Sequence, residues 1–292
     1  MANSKNQYKI RCCSINIDGL SERSKFMINK YNKNENFDLI SVQETGSDDL
    51  SKLELLNMSA ICDTNKASNR GAALYVSDKH SITHLDTISK LSNNIDTCWG
   101  LVVIAKKRLI VGNVYAKPNY KFAMNDISCM LRAAEEIQKK HKAIGILLTG
   151  DFNARHFSWG DKLINFNGRK LVEAIDNSKF SICTAKTPSF LCKNKDTIGN
   201  SFIDLNIISN GLAETVINCV TDEEVELFSG APIRGHLPLI TEIVISSEQT
   251  TYPVVKKLDI SKMQWTNWTN QIETQLEEIE ETIISEENPY TL

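Results

Sequence analysis

Apolar positions along this chain gather into short runs bounded by turn-forming and polar residues, the mark of buried strands more than of long helices. The run at 144–148 predicts a buried strand ending at Gly150. Upstream, 8–20 alternates so that Ile10, Cys12, Ser14 and Asn16 share one face of a first strand, which stops at Asp18-Gly19. The stretch 37–44 predicts a second buried strand that runs straight into Gln43-Glu44, and 69–76 a strand entered through a tight Arg70-Gly71 approach. Residues 101–105 and 109–115 read as a hairpin across Lys106-Lys107-Arg108. Later strands are expected from Thr187 onward, over 201–209 with Asp204 facing away from Ile203 and Leu205, and over 236–245. Helical spacing appears at 24–32, 124–140 and 168–176; in the second of these, Ile127, Met130, Leu131, Ala134 and Ile137 line one face. The segments 156–161 and 228–234 read as loops. Strands alternate with helices early and pair with strands late, which argues for an α/β sandwich of mixed sheets.

Past residue 247 the pattern changes. The stretch 246–257 is polar and carries Pro253, as a linker would, and 265–285 sets Trp268, Ile272, Leu276, Ile279 and Ile283 at helical spacing among glutamates. The expectation is one domain over 1–247, followed over 248–292 by a linker and an acidic amphipathic helix. With 292 residues, 41% of them hydrophobic, the chain can bury a full core. A net charge of −3 excludes a grip on nucleic acid through a globally basic surface, so any such binding should be local and salt-sensitive. The eight cysteines form no Cys-x-x-Cys pair, which points to neither a zinc site nor a disulfide framework. The polar start and the lack of a membrane-length apolar run predict no secretion signal, no membrane partner, and a reducing nuclear or cytoplasmic location.

Candidate chemistry clusters at strand ends. After the 144–148 run come Asp151 and Asn153, and i, i+2 spacing would send both to the same side of an extended segment. A carboxylate and a carboxamide there suit hard-metal or phosphate chemistry; an Asx turn capping the strand is the plainer alternative. Glu44 ends an apolar strand and needs a metal or a salt-bridge partner, because burying it alone is costly. Tyr115, at the end of 109–115, fits either half-buried core or catalysis. Asn16, Asp204 and His236 each follow or end an apolar run. His80, His84, His141 and His156 read as surface or loop residues.

In chain order, Asn16-x-x-Gly19-Leu20, Gln43-Glu44, Arg70-Gly71-x-Ala73, Asn113-Val114-Tyr115 with Pro118-Asn119, Gly150-Asp151-Phe152-Asn153-Ala154, Ser201-x-Ile203-Asp204 and Gly235-His236-x-Pro238-Leu239 resemble the endonuclease/exonuclease/phosphatase superfamily. The run 150–160, with Arg155-His156-Phe157-Ser158-Trp159-Gly160, is similar to the apurinic-type endonuclease domain of non-LTR retrotransposons; the similarity covers about 8–245. It implies a four-layered α/β sandwich: two mixed sheets face to face, helices outside, the site at one rim. It implies Mg²⁺-dependent hydrolysis of a DNA phosphodiester, with Mn²⁺ as an alternative ion. The product would be a 3′-hydroxyl that primes reverse transcription by a downstream domain of the same polyprotein. Glu44 would hold the ion with Asn16 beside it, Asp151 would orient or deprotonate water with Asn153, and His236, charged and aimed by Asp204, would bind the phosphate. Tyr115 would donate a hydrogen bond to that phosphate, and Asn119, Arg70, Ser201 and Arg234 would contact substrate.

Two departures stand out. The family usually has Ser-Asp-His where this chain has Arg234-Gly235-His236, so a carboxylate beside the metal is missing and a cation is added. Losing one such electrostatic group costs on the order of 10²–10³ in rate. The family also commonly has one residue fewer between the tyrosine and Asn119. Two readings follow: a DNA-nicking enzyme, attenuated or fully active, or a silenced module that binds nucleic acid or a partner. A third, hydrolysis of a phosphoinositide or sphingomyelin, is disfavoured by the Trp159-Gly160 loop and the lack of a membrane signal.

Overall fold

The computed structural model describes residues 7–47, 49–63, 70–85, 95–118, 120–122, 126–194, 197–223 and 234–246. Its first strand, β1 (Gln7–Asn16), is buried on both faces, and the two faces feed different cores. Ile10 and Cys12 join the core between the sheets, while Cys13 and Ile15 pack outward against α1 (Glu22–Glu35). That helix starts where the Ser21 side chain accepts from the Ser24 N–H, and stops at Asn36, whose φ of 53° ends the helical path. Then come β2 (Leu39–Gln43), β3 (Met58–Asp63), β4 (Ala72–Ser77), β5 (Ser81–His84), β6 (Ile95–Ile104) and β7 (Lys107–Ala116). After α2 (Asp126–His141) follow β8 (Ile146–Asp151), α3 (Phe166–Asp176) and β9 (Phe180–Cys183). The chain goes on through β10 (Phe190–Asn194), β11 (Thr197–Ser201), β12 (Asp204–Ser209), the short α4 (Asn210–Ala213), β13 (Val216–Thr221), β14 (Arg234–His236) and β15 (Leu239–Ser246).

One sheet runs β13-β15-β1-β2-β4-β3 and the other β5-β6-β7-β8-β12-β9. Both are mixed: β1 pairs parallel with β2, and β7 parallel with β8, among antiparallel neighbours. Ile10, Leu39, Leu74 and Ile243 of the first meet Val102, Val111, Leu147 and Ile208 of the second in a shared apolar layer. Outside, α1 covers the first sheet, and α2 with α3 cover the second through Ile127, Met130, Leu131 and Leu171. The four-layered α/β sandwich expected from the sequence is the fold observed. A third, small sheet, β11-β10-β14, spans the rim and carries His236.

Several boundaries differ from the sequence reading. The central strand begins at Ile146, two residues inside the apolar run, because Ile144 is 36% exposed, and it continues to Asp151. The 201–209 stretch is two strands, broken at Phe202-Ile203 where the chain leaves the rim sheet for the second large one. The hairpin turns at Ala105-Lys106, both at positive φ (48° and 65°), so Lys107 and Arg108 already belong to β7. The loop expected at 156–161 contains one 3₁₀ turn, Phe157–Trp159. The expected loop at 228–234 lies outside the described residues up to 233, and the linker and acidic helix of 248–292 lie wholly outside them. Strands β3, β5, β9 and β13 had no counterpart in the sequence reading. All four sit at sheet edges and carry exposed or half-buried positions among the few buried ones, which weakens the alternation. Among the described residues no helix is long and apolar enough to cross a membrane.

Candidate active site

The strand ends meet at one rim. Asn16, Glu44, Tyr115 and Asp151 close or follow β1, β2, β7 and β8, while antiparallel β12 brings Asp204 back to the same level, in register with Asp151. Two glycines make this convergence feasible. Gly150 has a φ of 144°, and a Cβ there would run into the Val114 carbonyl of the neighbouring strand. Gly71, at φ 75°, lets 70–71 lie against the loop after β2, with the Thr45 and Gly46 N–H groups donating to the Gly71 and Arg70 carbonyls at 3.4 and 2.7 Å. Arg70 is thereby set over Glu44.

The side chains form one connected network. Asn16 Nδ2 donates to Glu44 Oε1 at 2.9 Å and to Asp151 Oδ2 at 3.0 Å. The Asn153 backbone N–H donates to Asp151 Oδ1 at 3.0 Å, and its Nδ2 donates to Asp151 Oδ2 at 3.1 Å and to the Ala116 carbonyl at 2.8 Å. Asn153 has a φ of 44°, so the pair meets through an Asx turn, not through alternation along an extended segment. The Asx turn expected as the plainer reading is present, and it is what aims both side chains. Asp18 and Glu44 also sit at positive φ, 47° and 56°. Such backbone is costly for residues with a Cβ and is held here by packing around the rim.

His236 is wedged between two buried carboxylates. Its Nδ1 lies 2.9 Å from Asp204 Oδ2 and its Nε2 lies 3.8 Å from Asp151 Oδ2, while the Phe190 ring stacks edge-on at 4.8 Å. Burial alone would lower the imidazole pKa; the charge and hydrogen bond of Asp204, with Asp151 and Glu44 behind it, override this and raise it to about 9. The ring is an imidazolium at neutral pH. Burial pushes Asp151 the other way, up to about 7, against the pull of His236, and the Asp204 charge adds to the rise. Ser189 Oγ accepts from the Ile203 and Asp204 N–H groups and fixes the entry to β12. Asp204 Oδ1 is buried with no hydrogen-bond partner among the described residues, so its charge is directed at the histidine.

On the other side, Arg70 Nη1 donates to Glu44 Oε2 at 2.5 Å and to Asp18 Oδ1 at 3.0 Å. Tyr115 is 2% exposed and faces Glu44; burial first, then the Glu44 charge and hydrogen bond, push its phenol well above the ordinary range. Tyr115 is thus both core and rim. Beneath lies a polar plug absent from the sequence-based site: Gln43 Nε2 donates to Asn113 Oδ1 at 2.6 Å and Ser14 Oγ at 3.1 Å, and Asn113 Nδ2 donates to the Val42 and Ala73 carbonyls at 2.8 Å. It locks the two sheets together directly under Glu44.

Two clusters could attract a cation. Asp151, Asp204 and His236 place ligand-type atoms within 4.8 Å of one another, but a protonated imidazole has no lone pair to offer, so this trio fits proton and phosphate chemistry better. Glu44 and Asp18 already share one positively charged nitrogen, and two carboxylate oxygens around one cationic position make a donor set that suits a hard divalent ion. Asn16, expected beside the ion, presents its NH₂ to both carboxylates while its oxygen accepts from the Asp18 N–H at 3.1 Å. In this arrangement it spaces Glu44 from Asp151.

The other expected residues are less central. Ser201 is buried in register with Phe190, which in turn pairs with His236, so it lies about 10 Å from the histidine, two strand spacings away. Asn119 and the Arg234 side chain lie outside the described residues; the Arg234 backbone begins β14. Trp159 is a buttress: its Nε1 donates to the Phe202 carbonyl at 3.1 Å, beside an Arg155–Asp161 ion pair at 2.9 Å. His141 and His156 are partly exposed, at a helix end and before the 3₁₀ turn. His80 is in a turn as expected but not at the surface, since its side chain is 6% exposed and lies 2.7 Å from Asp38. His84, half-buried, belongs to edge strand β5 instead of a loop.

Among solved structures, an endonuclease/exonuclease/phosphatase family protein from Bacteroides thetaiotaomicron superposes with a TM-score of 0.59 at 15% identity, covering 86% of this chain and 100% of that one. The fold matches that of solved endonuclease/exonuclease/phosphatase structures. The endonuclease domain of TRAS1, a telomere-specific non-LTR retrotransposon, superposes with a TM-score of 0.62 at 15% identity over 80% of this chain and 98% of that domain. A family model described as endonuclease-reverse transcriptase matches 109–229, the part of the superfamily fold that holds Tyr115, Asp151, Asn153 and Asp204. A Drosophila melanogaster protein named as a probable RNA-directed DNA polymerase from transposon X-element is 23% identical over 209 residues, 70% of this chain. The match covers 20% of that relative, so the chain spans about a fifth of its length. The resemblance to non-LTR retrotransposon endonucleases read from the motifs is borne out by these matches.

Proposed function

We propose that the chain is a metal-dependent DNA endonuclease that hydrolyses a phosphodiester and leaves a 3′-hydroxyl, serving target-primed reverse transcription by a downstream domain of a retroelement polyprotein. One observation carries this reading: His236 is held charged between Asp204 and Asp151, and Asp151 is a carboxylate poised near neutrality on the same rim. A phosphodiester is anionic and resists attack, so a fixed imidazolium offers the phosphate a cation that costs no reorganisation. Asp151, oriented by Asn16 and Asn153, is the group best placed to take a proton from an attacking water. Tyr115 keeps its proton and can donate a hydrogen bond to a phosphate oxygen. Mg²⁺, or Mn²⁺ in its place, would be held by Glu44 and Asp18, with Asn16 spacing them from Asp151. When bound it supplies positive charge for the non-bridging and leaving oxygens. Arg70 would then turn from these carboxylates toward the DNA backbone, with Ser201, Asn119 and Arg234 further along the strand. The relatives' names, an endonuclease domain and a transposon polymerase, support DNA as substrate and a reverse transcriptase as the neighbouring domain. The domain itself would be 1–247.

A second reading is a silenced module that only binds nucleic acid or a partner. Two observations favour it: Gly235 brings no carboxylate beside His236, and Arg70 is paired with Glu44 at 2.5 Å. Nicking of supercoiled plasmid with and without Mg²⁺ separates the two, comparing the natural chain with Gly235→Asp and His236→Ala. Mg²⁺-dependent nicking by the natural chain that falls on the order of 10²–10³ in His236→Ala establishes the enzyme. Nicking only by Gly235→Asp would mean that this copy is silenced. If none of the three nicks, the binding module stands.

A further inference from the structure

The open end of the sandwich carries a feature unrelated to phosphodiester chemistry. Strand β9 is the edge of one large sheet and β13 the edge of the other. Between them and the interior lie β12 and β15, whose Asn206 and Thr241 touch across the gap, Asn206 Nδ2 donating to Thr241 Oγ1 at 2.8 Å. Asn206 is in register with Cys183 on β9, and Thr241 with Cys219 on β13. Register partners in antiparallel strands point to the same face, so each cysteine points into the gap from its own edge and the two meet. They face each other closely enough that each perturbs the other's titration. Asn206 Nδ2 and Thr241 Oγ1 also donate to Cys219 Sγ, at 3.4 and 3.9 Å, fixing that sulfur in place. Both cysteines are partly exposed and line a groove of about 860 Å³ between the edges.

We propose that Cys183 and Cys219 are an oxidisable dithiol, a modification site at which a hydroperoxide closes a disulfide tying β9 to β13. The contact divides the labour. The proximity of Cys219 lowers the Cys183 pKa, while the proximity of Cys183 and burial raise that of Cys219, and the more readily ionised thiol, Cys183, is assigned the attack. The Cys183 sulfur attacks one peroxide oxygen; an S–O bond forms, the O–O bond breaks, and the departing hydroxide takes a proton to become water. Cys219 sulfur then displaces the sulfenic oxygen; the S–S bond forms, the S–O bond breaks, and a second water leaves with the Cys219 proton. Two thiols are oxidised and one peroxide is reduced to two waters. The closed loop runs from Cys183 to Cys219 and contains Asp204, which precedes Asn206 by two residues on the same face of β12. Oxidation therefore braces the strand that aims the histidine.

The test is made on the whole chain, treated with hydrogen peroxide, alkylated and digested for mass spectrometry. The expected product joins the Cys183 and Cys219 peptides with a loss of about 2 Da for two hydrogens. It is reversed by dithiothreitol, absent in Cys183→Ser, and accompanied by a rise of several degrees in unfolding temperature. Cys129 and Cys192, also partly exposed, serve as internal controls. The proposal is overturned if Cys183 and Cys219 both remain alkylatable after prolonged peroxide, or if Cys183 accumulates as sulfinic acid while Cys219 stays free. The readout is on the natural chain, so neither a failure of Cys183→Ser to fold nor a lack of nicking activity affects it.

Discussion

A histidine flanked by two carboxylates and a carboxylate flanked by that histidine titrate as a unit, and the order of their protons decides what the rim can do. Asp151 must be ionised to accept a proton, so activity should rise with pH through about 7, where burial has pushed it. His236 must be protonated to bind phosphate, so activity should fall as pH passes about 9, where Asp204 outweighs the opposing effect of burial. The single-turnover rate of nicking against pH should therefore be bell-shaped, with its maximum between these limbs. In Asp204→Asn the amide still accepts from Nδ1 but its charge is gone. The alkaline limb should move down toward the ordinary imidazole value, about 6.5, while the acidic limb stays or moves slightly lower, because Asp204 also raises Asp151. An alkaline limb unmoved in Asp204→Asn would mean that the limb belongs to another group, such as a metal-bound water.

Single side chains gain these roles only because the strands deliver them, and Gly150 is where delivery is most constrained. It sits in β8 beside Val114 of β7, with no space for a Cβ. Gly150→Ala should push β8 from β7, destabilising the fold by about 3 kcal/mol or more, measurable as a lower urea midpoint at unchanged slope. A loss under about 1 kcal/mol would mean that the strand pair adapts. Such constraints explain which parts were legible in the sequence. Strand-end polar residues after apolar runs, Glu44, Asp151 and Asp204 among them, could be read because a buried strand announces its own end. Their mutual distances could not, since Asn16 meets Asp151 across 135 positions of chain. Asn113 was noticed only as the start of Asn-Val-Tyr, though it bonds both sheets at once; a polar residue inside an apolar run was the available signal. Arg70 was expected against substrate and lies against Glu44 and Asp18, because nothing local tells a guanidinium which of two anions is nearer.

At the scale of the whole molecule, 33 basic residues face 36 acidic ones, and the site must attract a polyanion against that balance. On the rim these cations are already paired with carboxylates: Arg70 is shared by Glu44 and Asp18, Arg155 pairs with Asp161, and His236 is shared by Asp151 and Asp204. Among the described rim residues few cations are therefore left to displace counterions from DNA, and contact with about two or three phosphates is the expectation. Each neutralised phosphate contributes about −0.9 to the slope of log affinity against log salt, which gives a slope of about −2 to −3. Between 50 and 200 mM salt, affinity should fall roughly ten- to fortyfold, where a protein contacting many phosphates loses about a thousandfold or more. Fluorescence anisotropy with a labelled duplex, titrated at several salt concentrations without divalent ion, measures this slope. A slope steeper than about −6 would require a basic surface that the described residues do not provide. A chain that binds weakly in general and acts at a phosphate it can orient would owe site choice to contacts with the bases or to bent DNA, and positions of nicking on the plasmid should then stay the same as salt slows the reaction.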